Sequence, residues 1–187
     1  MRKLKVFNNV SLDGYFCDRH GDMNWAHERQ DAEFGDWVSS NASGASQLLF
    51  GRVTYEMMAS FWPTPMAMET LPTVAKGMNS ASKVVFSRSL SKASWQNTRL
   101  IKGDLLEAVQ ALKAEPGPDL VLMGSGSIVA QLAQARLIDT YQLVVHPTVL
   151  GAGRTLFQGI EERLCLTLSS SRAFKNGNLV LWYEQTR

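Results

Sequence analysis

Cysteine is scarce in this chain. Cys17 and Cys165 stand far apart and form no motif, so a disulfide scaffold is excluded and the expectation is a cytoplasmic protein with reduced thiols. Histidine is also scarce, with only His20, His27 and His146. Cys17, His20 and His27 come nearest to a ligand cluster, but their spacing matches no standard zinc pattern and no fourth ligand accompanies them. No metal is expected. Long apolar runs are missing, and Met1-Arg2-Lys3-Leu4-Lys5 leads into an alternating segment rather than a signal-peptide core. No membrane association is expected. The net charge of +2 contains no basic block, which argues against nucleic acid. Repeats, low-complexity tracts and linkers are absent, and residues 1–187 are expected to form a single domain.

The hydrophobic fraction of 45% and charged fraction of 19% are those of a globular protein. The most informative stretch runs from Asp119 to Leu132. Leu120 to Met123 is an unbroken apolar run, as in a strand covered on both faces. Ile128, Val129 and Leu132 then follow at helical spacing. Between them, Gly124 and Gly126 remove side chains where a ligand could approach the backbone, and Ser125 and Ser127 suit a helix N-cap. A helix N-terminus with free N–H groups is an anion site; the alternative is a tight turn without a ligand.

Other segments repeat this grammar. Leu4, Val6, Val10 and Leu12 alternate as a strand. Asn8 and Asn9 are poor strand formers within it, which predicts either a bulge or backbone exposed to a ligand. Asp13-Gly14 signals a turn, and a long loop from Cys17 to about Gln30 carries Trp25. Asp31 to Ser40 reads as a helix with Asp31 as a possible N-cap. Gln47 to Phe50 is a second apolar strand, and Gly51-Arg52 opens a helix that closes at Phe61-Trp62-Pro63. Leu71 to Met78 is a short helix and Lys83 to Phe86 a third strand, ending in Ser87-Arg88-Ser89. Asp104 to Ala114 is an amphipathic helix. Tyr141, Leu143 and Val145 alternate before His146-Pro147 and a Gly-rich loop, Leu150 to Arg154. Two strands, about Cys165 to Phe174 and Leu179 to Glu184, flank the hairpin signal Asn176-Gly177. Strands alternating with helices and ending in a hairpin make an α/β fold with a mixed sheet.

Three strand ends thus offer anion contacts: Gly51-Arg52, Ser87-Arg88 and Gly124 to Ser127. Ligands of open α/β sheets bind outside the carboxyl ends of the strands, and a dinucleotide with a 2′-phosphate carries phosphates at two separated places. The pattern is not the Rossmann fingerprint: Val129 stands where a third glycine is expected, and the turn comes late in the chain.

Ser11-Leu12-Asp13-Gly14, Gly51-Arg52-x-Thr54-Tyr55-Glu56, Phe61-Trp62-Pro63, Lys83 to Arg88, Met123-Gly124-Ser125-Gly126 and Pro147-x-x-x-Gly151-x-Gly153 follow one another in a familiar order. In them the chain resembles the dihydrofolate reductase-like superfamily. It is most similar to the reductase domain of the bifunctional riboflavin-biosynthesis deaminase-reductase and its stand-alone bacterial relatives. The resemblance implies a three-layer α/β/α fold with a mostly parallel central sheet, NADPH as cofactor, and a homodimer joined at the final hairpin or its neighbouring strands. It implies a substrate of pteridine or ribosylamino-pyrimidine type, as in 5-amino-6-(5-phosphoribosylamino)uracil reductase.

By the same resemblance, Gly51, Arg52 and Thr54 meet cofactor phosphates, Ser87 and Arg88 meet the 2′-phosphate, and Gly124, Ser125, Gly126, Ser127 and Ile128 cradle the pyrophosphate. Backbone at Val10 and Ser11 faces the nicotinamide, and Trp25, Phe34, Trp62, His146, Gly151, Gly153 and Arg154 border the substrate. Asp13 and Asp31 are the candidate catalytic carboxylates; a turn for Asp13 and an N-cap for Asp31 are the structural alternatives. Glu33 and Asp36 compete with Asp31, and Asn24 stands where dihydrofolate reductases usually have proline before the tryptophan. A non-catalytic nucleotide-binding module and a purely structural assembly subunit are the other functional readings.

Overall fold

In a computed structural model that describes residues 1–29, 31–42 and 44–186, the alternating segment at the start of the chain is β1 (Leu4–Ser11). It is followed by β2 (Tyr15–Asp18), a 3-10 turn (Asn24–His27), α1 (Ala32–Ala42), β3 (Gln47–Gly51), α2 (Arg52–Phe61), α3 (Pro65–Thr70) and α4 (Pro72–Ser80). Then come β4 (Lys83–Phe86), β5 (Thr98–Ile101), α5 (Leu105–Ala114), β6 (Leu120–Met123) and α6 (Gly126–Gln134). The chain closes with β7 (Thr140–His146), β8 (Gly153–Thr155), β9 (Leu166–Ala173) and β10 (Leu179–Gln185).

Eight of these strands form one sheet in the order β5-β4-β3-β6-β1-β7-β10-β9. The first six are mutually parallel. Only β10 against β7, and β9 against β10, pair antiparallel in it. The carboxyl ends of β4, β3, β6, β1 and β7 therefore share one edge. Chain order reverses beside β6: the path runs outward through β3, β4 and β5, then returns to lay β6 between β3 and β1.

The apolar runs explain the layers. Leu4, Val6, Leu49, Val84, Leu120 and Leu122 face α5 and α6 through Val109, Leu112, Val129 and Leu132. Leu48, Phe50, Val85 and Val121 point the other way, onto Tyr55 of α2 and Val74 and Met78 of α4. Phe34 of α1 extends that second layer over Val144, Phe174 and Val180. Each fully buried Leu or Val contributes about 1.5–3 kcal/mol. The result is the expected three-layer α/β/α fold.

Several segments depart from the sequence reading. The loop from Cys17 carries the end of β2 and the 3-10 turn; its expected limit, Gln30, lies outside the described residues. The Gly-rich loop at 150–154 contains the start of β8, which pairs with β2 as a separate two-stranded sheet. Strand β5 and helix α3 lacked a usable signal: β5 has four residues on a sheet edge, and α3 is one short turn capped by Thr64. No bulge occurs at Asn8-Asn9; β1 pairs with β7 in unbroken register from Lys5 to Ser11.

Candidate functional site

The shared edge is where the predicted anion turns meet. Adjacent strands lie ~4.8 Å apart, so the ends of β4, β3 and β6 fall within about 10 Å of one another. Arg88, Arg52 and Gly124 to Ser127 follow those three ends in that order. The two central turns touch. A side chain at Gly51 would place its Cβ 2.2 Å from Ser125 Oγ, and one at Gly124 would come 2.9 Å from Thr54 Oγ1. Gly124 and Ser125 both adopt left-handed backbone, with φ of 65° and 64°.

The N-termini of α2 and α6 are both without a side-chain cap among the described residues. Ser125 holds the N-cap position of α6, but its left-handed backbone turns its hydroxyl away from the capping role, and Ser127 lies inside the helix. By contrast Asp104 caps α5 through Leu106 and Glu107, and Asp31 caps α1 through Phe34. Two helices in the middle of the edge thus retain bare N–H donors and the positive ends of their dipoles. The glycines serve close packing rather than open space: Phe16 of β2 fills the place of a side chain at Gly126, its Cε1 2.7 Å from the added Cβ.

The cations differ in freedom. Arg52 pairs with Glu56 at 2.7 Å, an exposed i,i+4 contact worth little in stability. Arg88 is exposed and makes no ion pair among the described residues. Ser87 Oγ accepts hydrogen bonds from the Ser89 and Leu90 amides, which shapes the turn that carries Arg88. Arg154 reaches back from β8 and donates to Cys17 Sγ at 3.2 Å.

Both candidate carboxylates are occupied. Asp13 accepts from Ser11 Oγ at 2.6 Å and from the Leu150 and Gly151 amides, stapling the end of β1 to the loop before β8. The Ser11 hydroxyl, followed by these amides, holds its carboxyl below the usual range. An anion so held does not donate a proton, so the geometry supports the turn alternative for Asp13. Asp31 is the N-cap of α1.

The predicted substrate wall is a packed aromatic cluster. His146 is 1% exposed, with its ring edge-on to Trp25 at 5.4 Å and to Phe34 at 6.4 Å. Its Nε2 lies 2.9 Å from Asn9 Oδ1, and its Nδ1 is buried without a partner among the described residues. Burial, then His27, lowers its pKa to about 4, so it is a neutral imidazole. It orients Asn9 rather than meeting solvent. Trp62 does not join this cluster. It ends α2, ~15 Å along the helix from the edge, with its indole N–H on Met58 Sδ and its ring against Phe61. Val10 and Ser11 are 7% and 1% exposed, which leaves only their backbone for a ligand, and Ile128 packs beneath Gly51. Gly151 is left-handed, and Gly153 lets β8 approach Cys17.

Sequence reasoning singled out Asn8 without giving it a role. Its Oδ1 accepts the Gly124 N–H at 2.7 Å. Asn9, on the opposite face of β1, meets His146. The signal was two poor strand formers in a central strand. Phe16 gave no comparable signal.

Comparisons with known proteins agree with this architecture. The chain is 29% identical over 183 residues to the uncharacterized protein YyaP of Bacillus subtilis, covering 98% of this chain and 95% of that one. It is 25% identical over 174 residues to YwjB of the same organism, covering 92% of each. Among solved structures, a Shewanella sp. PV-4 protein provisionally assigned to riboflavin biosynthesis superposes with a TM-score of 0.75, at 24% identity and full coverage of both chains. The deaminase/5-amino-6-(5-phosphoribosylamino)uracil reductase of Thermotoga maritima gives 0.69 at 13% identity, over 99% of this chain and 57% of that one. These structures establish likeness of fold. The family model described as the RibD C-terminal domain matches residues 2–180, and the chain belongs to that family.

Proposed function

We propose that the protein is an NADPH-dependent reductase that transfers hydride to a pteridine-like or ribosylamino-pyrimidine-like small molecule. Its family supports a reductase-like role. The observation that carries the cofactor is the pair of touching, uncapped helix N-termini at the middle of the shared edge. These donors suit a pyrophosphate, and Arg88, two strands away, suits a 2′-phosphate. Gly51, Arg52 and Thr54 would hold phosphate oxygens from the α2 side, and Gly124 to Ser127 from the α6 side. NADPH, when bound, supplies the hydride. The chain's own residues align the reactants, exclude water with Trp25 and Phe34, and keep the Asp13 staple closed. A homodimer is proposed as well, supported by the exposed edge strand β9, with light scattering as its test.

The test is titration of NADPH and NADH into wild type and Arg88→Ala. Wild type binds NADPH well below millimolar, and Arg88→Ala loses NADPH affinity with little change for NADH. Failure of both nucleotides to bind below millimolar removes the reading; equal losses for both remove the 2′-phosphate role. A second reading, a pyridine-nucleotide-binding module without catalysis, is favoured by one observation: Asp13 and Asp31 are both engaged in backbone contacts. Binding without NADPH oxidation across pterins, flavin precursors and quinones selects it.

A further inference from the structure

We propose that Asn8 is a positioning residue for the bound dinucleotide, its Oδ1 fixing the β6–α6 turn and its Nδ2 donating to the anionic bridge held there. The inference rests on the dinucleotide reading above. Asn8 lies on β1, an inner strand of the sheet, just past the last β1–β6 pair, with Val6 and Val10 on the same face. It is 3% exposed. An amide in that place is costly to bury, and valine would fill it without that cost.

The local geometry explains half of the amide. The β1–β6 ladder ends at the pair Phe7–Met123. Gly124 then turns left-handed, and its N–H leaves the ladder. Asn8 Oδ1 takes that N–H at 2.7 Å, so a side chain continues the pairing that the backbone stops making. The other half is unexplained by the fold. Nδ2 carries two hydrogens, is fully buried and has no acceptor among the described residues. Buried polar atoms are nearly always paired. This donor shares an amide group with the oxygen that grips Gly124, at the mouth of a nine-residue helix whose N–H groups have no side-chain cap. Donors collected at one turn call for an acceptor, and a phosphate oxygen of the dinucleotide bridge has that chemistry.

The experiment uses the full chain. In protein labelled with nitrogen-15, the side-chain NH2 signals of Asn8 are followed together with the Gly126 and Ser127 amides. The ligands are inorganic pyrophosphate, NADPH and, as the phosphate-free control, adenosine. The Asn8 side-chain signals shift with the two amides for pyrophosphate and NADPH, and stay fixed with adenosine. In parallel, Asn8→Asp keeps the acceptor for Gly124 and Asn8→Leu removes both groups without adding charge. Each weakens NADPH binding by at least ~tenfold: Asn8→Asp loses the donor and sets a carboxylate against the phosphates, and Asn8→Leu loses the donor together with the grip on Gly124. If NADPH binds and moves Gly126 and Ser127 while the Asn8 side chain stays fixed, Asn8 only braces the turn and the proposal fails alone. If neither anion moves the turn, the dinucleotide reading fails and takes the proposal with it. The labelled wild-type measurement decides the matter even if a variant does not fold.

Discussion

His146 and Asp13 lie on neighbouring strand ends, and folding lowers the pKa of both. His146 has a folded pKa of about 4, below its usual 6.5, because the imidazole is buried against Trp25 and Phe34. Between those values the unfolded chain binds more protons than the folded one, so stability falls as pH drops from 6.5 to 4. The loss is ~3 kcal/mol over that window and vanishes above it. Urea unfolding at stepped pH measures the slope, and His146→Gln flattens that section of the profile; parallel profiles would refute the assignment. Asp13 acts lower. Its depressed carboxyl stabilises the fold above the ordinary carboxylate pKa, and that contribution disappears as pH falls through the folded value. Asp13→Asn therefore lowers the melting temperature at pH 7, and the deficit shrinks in acid. At this scale the sequence marked the right residues and left their jobs open. Asp13 and Asp31 each had two readings, and the backbone contacts each makes favour the structural one.

The helix N-termini divide into capped and bare, and the two kinds respond differently to substitution. Asp104→Ala removes the cap of α5 and costs ~1 kcal/mol in urea unfolding. Gly51→Ala drives a methyl group into Ser125 and costs ~1–3 kcal/mol, together with a loss of NADPH affinity. Ser125→Gly relieves both: it removes the side chain in the way and suits the left-handed backbone. Chemical denaturation of the two single variants and the double variant checks this; simple additivity would show that the turns do not touch in solution. Most elements could be read from apolar runs and periodicity. The exceptions are short. β8 and β2 form because one backbone approaches another through Gly153, a long-range contact with no local pattern. Ser125 looked like a cap by composition, but the left-handed turn imposed by packing against Gly51 overrode that preference.

The molecule as a whole owes its candidate site to sheet order. Arg88, Arg52 and the Gly124 turn are separated by long stretches of sequence, yet parallel pairing of β4, β3 and β6 brings all three to one edge. NADPH affinity should therefore decline as salt rises from low to physiological levels, with a shallower decline in Arg88→Ala; identical salt dependence in the two proteins would place the cation away from the ligand. Apolar runs, helical spacing and the Asn-Gly hairpin signal are local consequences of side-chain size and backbone freedom, so the fold class and the strand-end turns could be read without coordinates. Partners across the chain could not. The grip of Asn8 on Gly124, the seal of Trp25 over His146, the Phe16 ring on Gly126 and the separation of Trp62 from the aromatic cluster depend on which strands lie side by side and which face each residue takes, and pairing between distant segments leaves no local trace.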